Sequence, residues 1–214
     1  FQALEILQAY NLPSPETRLA RSSMAAVQAA KEIGFPVVLK IASPDISHKT
    51  DVDGVKVNLK DEEQVRSAFS AITSRAQRRM PQAYIAGCLV QKMAPEDCKE
   101  VIIGVKRDDQ FGPLVMFGLG GVYVEVLKDI SFRLAPLSNR DARDMIKEIR
   151  SYMLLKGFRG EKGVDFGALE TILLKMSRLA TDFPEIYEAE FNPVLVNSER
   201  GIVADVRITL APEK

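Results

Sequence analysis

One histidine stands in 214 residues, His48, inside the stretch ISHKTDVDGV at 46–55, where Lys49 follows it and Gly54 closes the loop. An imidazole is nucleophilic near neutral pH, and its nitrogen can take a phosphoryl group and pass it on. A lysine, a glycine and successive backbone N–H groups can wrap a phosphate chain. The alternative is an idle surface imidazole above a plain hairpin turn. Upstream, Lys40 is the one charge in the apolar run FPVVLKI at 35–41. An unpaired buried ammonium is costly, so Lys40 either snorkels at a strand end or reaches a phosphate.

A second constellation lies near the end of the chain, in EAEFNP at 188–193 and ADVR at 204–207. In a strand, Glu188, Glu190 and Asn192 share a face, and a tight hairpin brings Asp205 alongside it. Carboxylates and a carboxamide oxygen converging on one spot suit Mg²⁺, which takes oxygen ligands and bridges nucleotide phosphates. A solvated acidic sheet face is the plain alternative; Pro193 argues against it, because proline interrupts a ladder and marks a shaped bend. Between the two constellations, CLVQKM at 88–93 leads from one half of the chain to the other. A connector's exposed backbone groups could read a purine edge, and Glu100 could hold ribose hydroxyls or be an ordinary surface glutamate. The GLGG run at 118–121 does not open a helix, so a dinucleotide fingerprint is excluded and a tight bend accounts for the glycines.

The elements that must position these groups follow from periodicity and punctuation. Residues 3–10 read as a short helix ended by NLPSP. Ser22 and Ser23 cap an alanine-rich helix that stops at Gly34. Strands are expected at 35–42, 55–59 and 88–93, with a helix from Asp61 to Pro81 between the last two. Runs at 101–105 and 113–117 flank a polar turn, a hairpin pattern, and a β-like run covers 122–134. Helices at 140–155 and 167–181 are joined by the flexible connector 157–163, and a strand pair at 186–196 and 201–210 ends the chain. The organisation is two α+β lobes meeting near residue 91. Residues 1–90 hold the N-terminal helix and a small lobe; residues 91–214 hold a large lobe with the metal site.

Lys plus Arg equals Asp plus Glu at 29 each, so nothing in the charge points to nucleic acid or an anionic membrane. No apolar run reaches the roughly 18 residues of a membrane span, and the opening FQALE reads as helix, not as a signal peptide. The start on Phe1 fits a processed chain or a domain cut from a longer polypeptide. Cys88 and Cys98 match neither a disulfide framework nor a metal spacing, so both read as small apolar fillers in a reducing cytoplasm.

In this order the stretches FPVVLKI (35–41), SHKTDV (47–52), MFGLGGVYVEVLKD (116–129), SFRLAPL (131–137), EFNP (190–193) and ADVRI (204–208) resemble the ATP-grasp superfamily. The likeness is to the nucleotide-binding β part of NDP-forming (ADP-forming) acyl-CoA synthetases of the acetyl-CoA synthetase type, and more distantly to succinyl-CoA synthetase β chains. It implies an α+β ATP-grasp fold, two lobes with a nucleotide cleft between them, and ATP/ADP with Mg²⁺ as cofactors. Carried over by position, Lys40 touches the phosphates, the loop from Lys49 to Gly54 covers them, and Val90, Gln91 and Met93 form the adenine-side hinge with Glu100 near the ribose. Asn192 and Asp205 hold Mg²⁺, with Glu190 assisting. His48 falls at the histidine that relays a phosphoryl group to a CoA-binding, α-type ligase domain or subunit, fused or separate. The resemblance departs at Asp53, where the family usually has glycine; a carboxylate facing phosphates repels them unless it points outward or reaches the metal. Two other functions fit parts of the pattern. One is a catalytically weak sensing domain of a larger protein such as a protein acetyltransferase. The other is a stand-alone carboxylate–amine ligase, which needs no relay histidine.

Overall fold

The computed structural model describes residues 2–46, 48–121, 129–157 and 160–211. Ser47, the 122–128 part of the expected strand run and residues 158–159 of the expected connector lie outside them. Helix α1 (Gln2–Ala9) turns Leu7 into a core built mainly from the later part of the chain, and Leu12 joins the same core. Lys175 Nζ donates to the Asn11 carbonyl at 2.5 Å and Val203 N–H to that of Pro13 at 2.8 Å. One compact unit is therefore Pro15–Pro95, and Gln2–Ser14 belongs with the residues from Glu96 onward. This differs from the expected division at 90/91 with the helix in the first part. A leucine stripe announces burial without saying against what.

The first unit is a four-stranded antiparallel sheet ordered β1-β4-β2-β3, from β1 (Thr17–Ala20), β2 (Val37–Ala42), β3 (Val55–Leu59) and β4 (Gly87–Lys92). Helices α2 (Ser23–Ile33) and α3 (Glu62–Arg79) cover one face. The Ser22 hydroxyl accepts from Ala25 N–H at 3.2 Å to start α2, and Gly34, at φ +84°, ends it. Asp61 starts α3 by accepting from Gln64 N–H at 2.8 Å. Ala26, Ala30, Ile33, Val65 and Ile72 pack against Val37, Leu39, Ile41, Cys88 and Val90. The strand period of two then assigns Val38, Lys40, Leu89 and Gln91 to the other face.

The second unit carries a six-stranded sheet: β5 (Lys99–Asp108), β6 (Gly112–Leu119), β7 (Ile130–Leu134), β8 (Ile186–Val196), β9 (Gly201–Val203) and β10 (Val206–Leu210). Its order is β10-β8-β5-β6-β7, with β9 also on β8. Helices α4 (Asn139–Glu148), α5 (Tyr152–Leu155) and α6 (Phe166–Asp182) complete it. Met145, Ile146, Leu169, Ile172 and Met176 cover Val101, Ile103, Val115, Phe117, Phe191 and Val194. Each fully buried side chain of this size contributes roughly 1.5–3 kcal/mol. The helix expected over 140–155 breaks after Glu148 because Asp129 intervenes. Its carboxylate, 6% exposed, accepts from the N–H groups of Arg150 at 2.6 Å and Ser151 at 2.7 Å, and from the Ser151 hydroxyl. Among the described residues no helix is long and apolar enough to cross a membrane.

Candidate functional site

The acidic cluster is shaped by a fault in the sheet. Along β8, Ala189, Phe191 and Val194 turn into the core, which leaves Glu188, Glu190 and Asn192 on the other face. Ile103 of β5 lies opposite Phe191, yet Val101 lies opposite Val194, so β8 carries an extra residue at Asn192–Pro193. On its other flank the chain breaks between β9 and β10 at the same level. Asn192 N–H donates to the Asp205 carbonyl at 3.1 Å, and Ala204 N–H to the Pro193 carbonyl at 3.0 Å. The bulge and the break thus place Asp205 beside Asn192, as the hairpin reading expects.

The side chains there orient one another. Asn192 Nδ2 donates to Glu190 Oε1 at 2.8 Å, which turns Asn192 Oδ1 away from the glutamate. Arg207 Nη2 donates to Glu188 Oε1 and Glu190 Oε2, both at 2.9 Å. Asp205 Oδ1 accepts from Val206 N–H at 3.1 Å. Arg207 offsets part of the negative charge and holds both glutamates in place. The sequence alone gives it no role; its signal is the two-residue spacing from Asp205, with Glu188 and Glu190 on the neighbouring strand.

Among the described residues no three His, Cys, Asp or Glu side chains gather to hold a metal ion. A thiolate or imidazole site for a soft cation is therefore not built from them. Asn192 and Asp205 are joined through their backbones at the bulge, and their side chains offer only oxygen as metal ligands, the kind of donor that suits hard Mg²⁺. Both Glu190 oxygens already accept hydrogen bonds, so its evident work is to orient Asn192.

In the first unit, Lys40 is only 8% exposed, lies opposite Leu89 on β4, and shares a sheet face with Gln91. The loop after β2 is anchored at two points, since Ile46 and Val52 are buried in the core on either side of exposed His48 and half-buried Lys49. Within it, Asp51 N–H donates to the His48 carbonyl at 3.2 Å, Asp53 N–H to that of Thr50 at 2.9 Å, and Gly54 N–H to that of Lys49 at 2.7 Å. The Gly54 carbonyl accepts from Ile41 N–H at 2.7 Å, tying the loop to β2. A Cβ on Gly54 would come within 2.6 Å of Ile41 Cγ2 and 2.8 Å of the Lys49 carbonyl oxygen, so only glycine fits. Asp53, expected to repel phosphates unless it points outward or reaches the metal, has its carboxylate paired with Arg75 and, at 3.3 Å, with Lys56.

The expected hinge is differently built. Val90 lies between Arg18 of β1 and Leu39 of β2, and Gln91 between Thr17 and Val38. A strand paired on both flanks offers no exposed backbone edge at those two positions, and the Gln91 amide donates to Thr17 Oγ1 at 3.0 Å. The ladder ends only at Lys92; Met93 is half-buried just past it, with its N–H donating to Pro36 at 3.3 Å. The short strand β1 on the far side of β4 is what changes the picture. In the second unit Glu100 is exposed on β5, and its carbonyl accepts from Gly120 N–H at 2.7 Å. A Cβ on Gly120 would meet Glu100 backbone atoms at 2.9–3.0 Å, and Gly121 turns at φ +70°, so close approach and a turn explain this glycine pair. Burial pushes the Cys88 thiol up to about 12 and, with help from Asp97 against Arg200, raises that of Cys98; neither is poised as a thiolate.

The ATP-grasp domain family matches residues 1–210. The chain is 47% identical over 209 residues to the β subunit of acetate–CoA ligase [ADP-forming] I of Pyrococcus furiosus, covering 98% of this chain and 90% of that one. It is 48% identical to acetate–CoA ligase [ADP-forming] I of Archaeoglobus fulgidus, covering 99% of this chain but 31% of that longer one. The chain thus spans most of the separate β subunit and under a third of the longer relative. Among solved structures it superposes with a TM-score of 0.94 and 50% identity on the dinucleotide forming acetyl-coenzyme A synthetase 1 of Ca. Korarchaeum cryptofilum, in complex with coenzyme A and Ca-AMPCP, covering 98% of this chain and 91% of that one. The same synthetase with Mg-AMPPCP, where a phosphohistidine segment points towards the nucleotide binding site, gives 0.83 at 46% identity, covering 98% and 91%. This chain belongs to the ATP-grasp family.

Proposed function

We infer that this chain is the nucleotide-binding component of an ADP-forming acyl-CoA synthetase, an acid–thiol ligase. It moves a phosphoryl group between ATP or ADP and a CoA-binding, α-type partner, fused or separate. The observation that carries the reading is the bulge of β8, which joins Asn192 to Asp205 through the backbone while Glu190, itself held by Arg207, orients the Asn192 carboxamide. High identity over nearly the whole chain to ADP-forming acetate–CoA ligases supports it independently.

The chain's own residues divide the work. Lys40 and Lys49 neutralise and orient phosphate oxygens, and the loop up to Gly54 covers them; positioning and charge neutralisation dominate such chemistry. Met93, past the ladder, is better placed than Val90 or Gln91 to contact the base, and Glu100 takes ribose hydroxyls. Asn192 and Asp205 hold Mg²⁺, which when bound offsets phosphate charge, and Glu190 keeps the carboxamide aligned. In the ATP-consuming direction a His48 nitrogen bonds to the γ-phosphorus while the bond to the bridging oxygen breaks. ADP leaves with that electron pair, and His48 then surrenders the phosphoryl group to the partner. A carboxylate repelling phosphates would favour a catalytically weak sensing domain, but that of Asp53 is charge-paired with Arg75 and Lys56. A reducing cytoplasm suits the free Cys88 and Cys98.

The test is transfer of labelled phosphate from a phosphorylated partner to ADP. His48→Ala should abolish transfer while leaving ADP binding intact; transfer at the wild-type rate would exclude the relay.

A further inference from the structure

The loop that carries His48 is fastened to α3 as well as to its own strands. Asp53 has φ +52°, a left-handed conformation that glycine adopts freely and aspartate tolerates. Its carboxylate meets Arg75 Nη1 on α3, and Lys56 Nζ on β3 stands at 3.3 Å. One helical turn beyond Arg75, Arg79 Nη1 donates to the Asp51 carbonyl oxygen. Residues four apart lie on one side of a helix, so two neighbouring guanidiniums reach the same short stretch, one through a side chain and one through the backbone. A basic residue in the last turn of a helix is explained by the helix dipole alone. Two such contacts on one loop are not.

The geometry points to Arg75 and Arg79 as positioning residues that hold the His48 loop in one conformation, with Asp53 as the anchor on the loop side. The inference rests on reading this loop as the phosphate-handling one. A loop already ordered gives up less conformational freedom when it closes on an anion, so the clamp acts on the rate of transfer more than on the fold. Asp53 is then an alternative to glycine at a left-handed position, and its charge meets Arg75 and Lys56, which a glycine there could not do.

The experiment is amide hydrogen exchange on the full chain without nucleotide, for Arg75→Gln, Arg79→Gln, the double variant and Asp53→Asn. Exposed ion pairs are weak individually, so exchange at Asp51, Asp53 and Gly54 should rise about two- to five-fold in each single variant and about ten-fold in the double. Amides of α2 and the melting temperature should hold. In the transfer assay kcat should fall with KM for ADP little changed, and Arg79→Lys, which can still donate to the carbonyl, should restore it. Loop exchange equal to wild type in the double variant, or a uniform rise across the unit, would overturn the clamp. If Arg75→Gln fails to fold, Asp53→Asn breaks the same pair from the loop side and is read the same way. A wild-type chain that binds no nucleotide would sink the proposed function and leave the clamp standing; unaltered loop exchange would do the reverse.

Discussion

Replacing Gly54 with alanine sets a methyl group against two neighbours that cannot both withdraw. Its carbon would lie 2.6 Å from Ile41 Cγ2 and 2.8 Å from the Lys49 carbonyl oxygen, about 0.8 and 0.6 Å inside an ordinary 3.4 Å contact. Ile41 is 1% exposed and locked in the core of the first unit, so β2 will not yield. The loop must, and the 2.7 Å bond from Gly54 N–H to Lys49 lengthens as it does. Overpacking of this kind costs about 1–3 kcal/mol, and the weakened hydrogen bond adds about 0.5–1.5 kcal/mol. Because His48 and Lys49 sit on the displaced segment, a shift near 1 Å should slow phosphoryl transfer by on the order of 100-fold. Urea denaturation and the labelled-phosphate assay read the two effects separately. A Gly54→Ala variant within 0.5 kcal/mol of wild-type stability and within two-fold of its transfer rate would refute the packing argument.

Other expectations follow from the second unit. Asp129 is driven up by burial, but hydrogen bonds from Ser151 and Arg150 and the Arg150 charge outweigh this, so its carboxyl stays below its usual range. Its contribution is therefore present above the ordinary carboxylate pKa and lost as pH falls through the lowered folded value. Asp129→Asn should cost about 1.5–3 kcal/mol at pH 7 and shrink the acid dependence of urea stability; an unchanged profile would contradict this. Phe191→Ala, at a fully buried ring, should cost about 3–5 kcal/mol in urea denaturation. Arg207→Ala frees Glu188 and Glu190 and should loosen the Asn192 carboxamide, lowering Mg²⁺-dependent nucleotide affinity in calorimetry even though the site becomes more negative.

What could be read in advance was local. Ser22, Gly34 and Asp61 mark helix ends through their own backbone bonds, and the alternation of Glu188, Glu190 and Asn192 against Ala189 and Phe191 carries its own assignment. What could not be read depends on partners distant in the chain. TRLA becomes β1 only by pairing with β4, and that pairing encloses Val90 and Gln91. The break after α4 answers to Asp129, some twenty residues upstream of the amides it binds. The allegiance of α1 is decided by a core assembled mostly after Glu96. Arg75, Arg79 and Arg207 resemble any other surface charge until the groups they meet are known.

Titration calorimetry with ADP and ATP, with and without Mg²⁺, on wild type and Asp205→Asn bears most directly on the central claim, that Asn192 and Asp205 hold the metal of a bound nucleotide. The account predicts wild-type binding at least ten-fold tighter with Mg²⁺, about 1.4 kcal/mol or more, and loss of that metal dependence in the variant. No nucleotide binding under any condition, or an affinity indifferent to both the metal and Asp205, would contradict it.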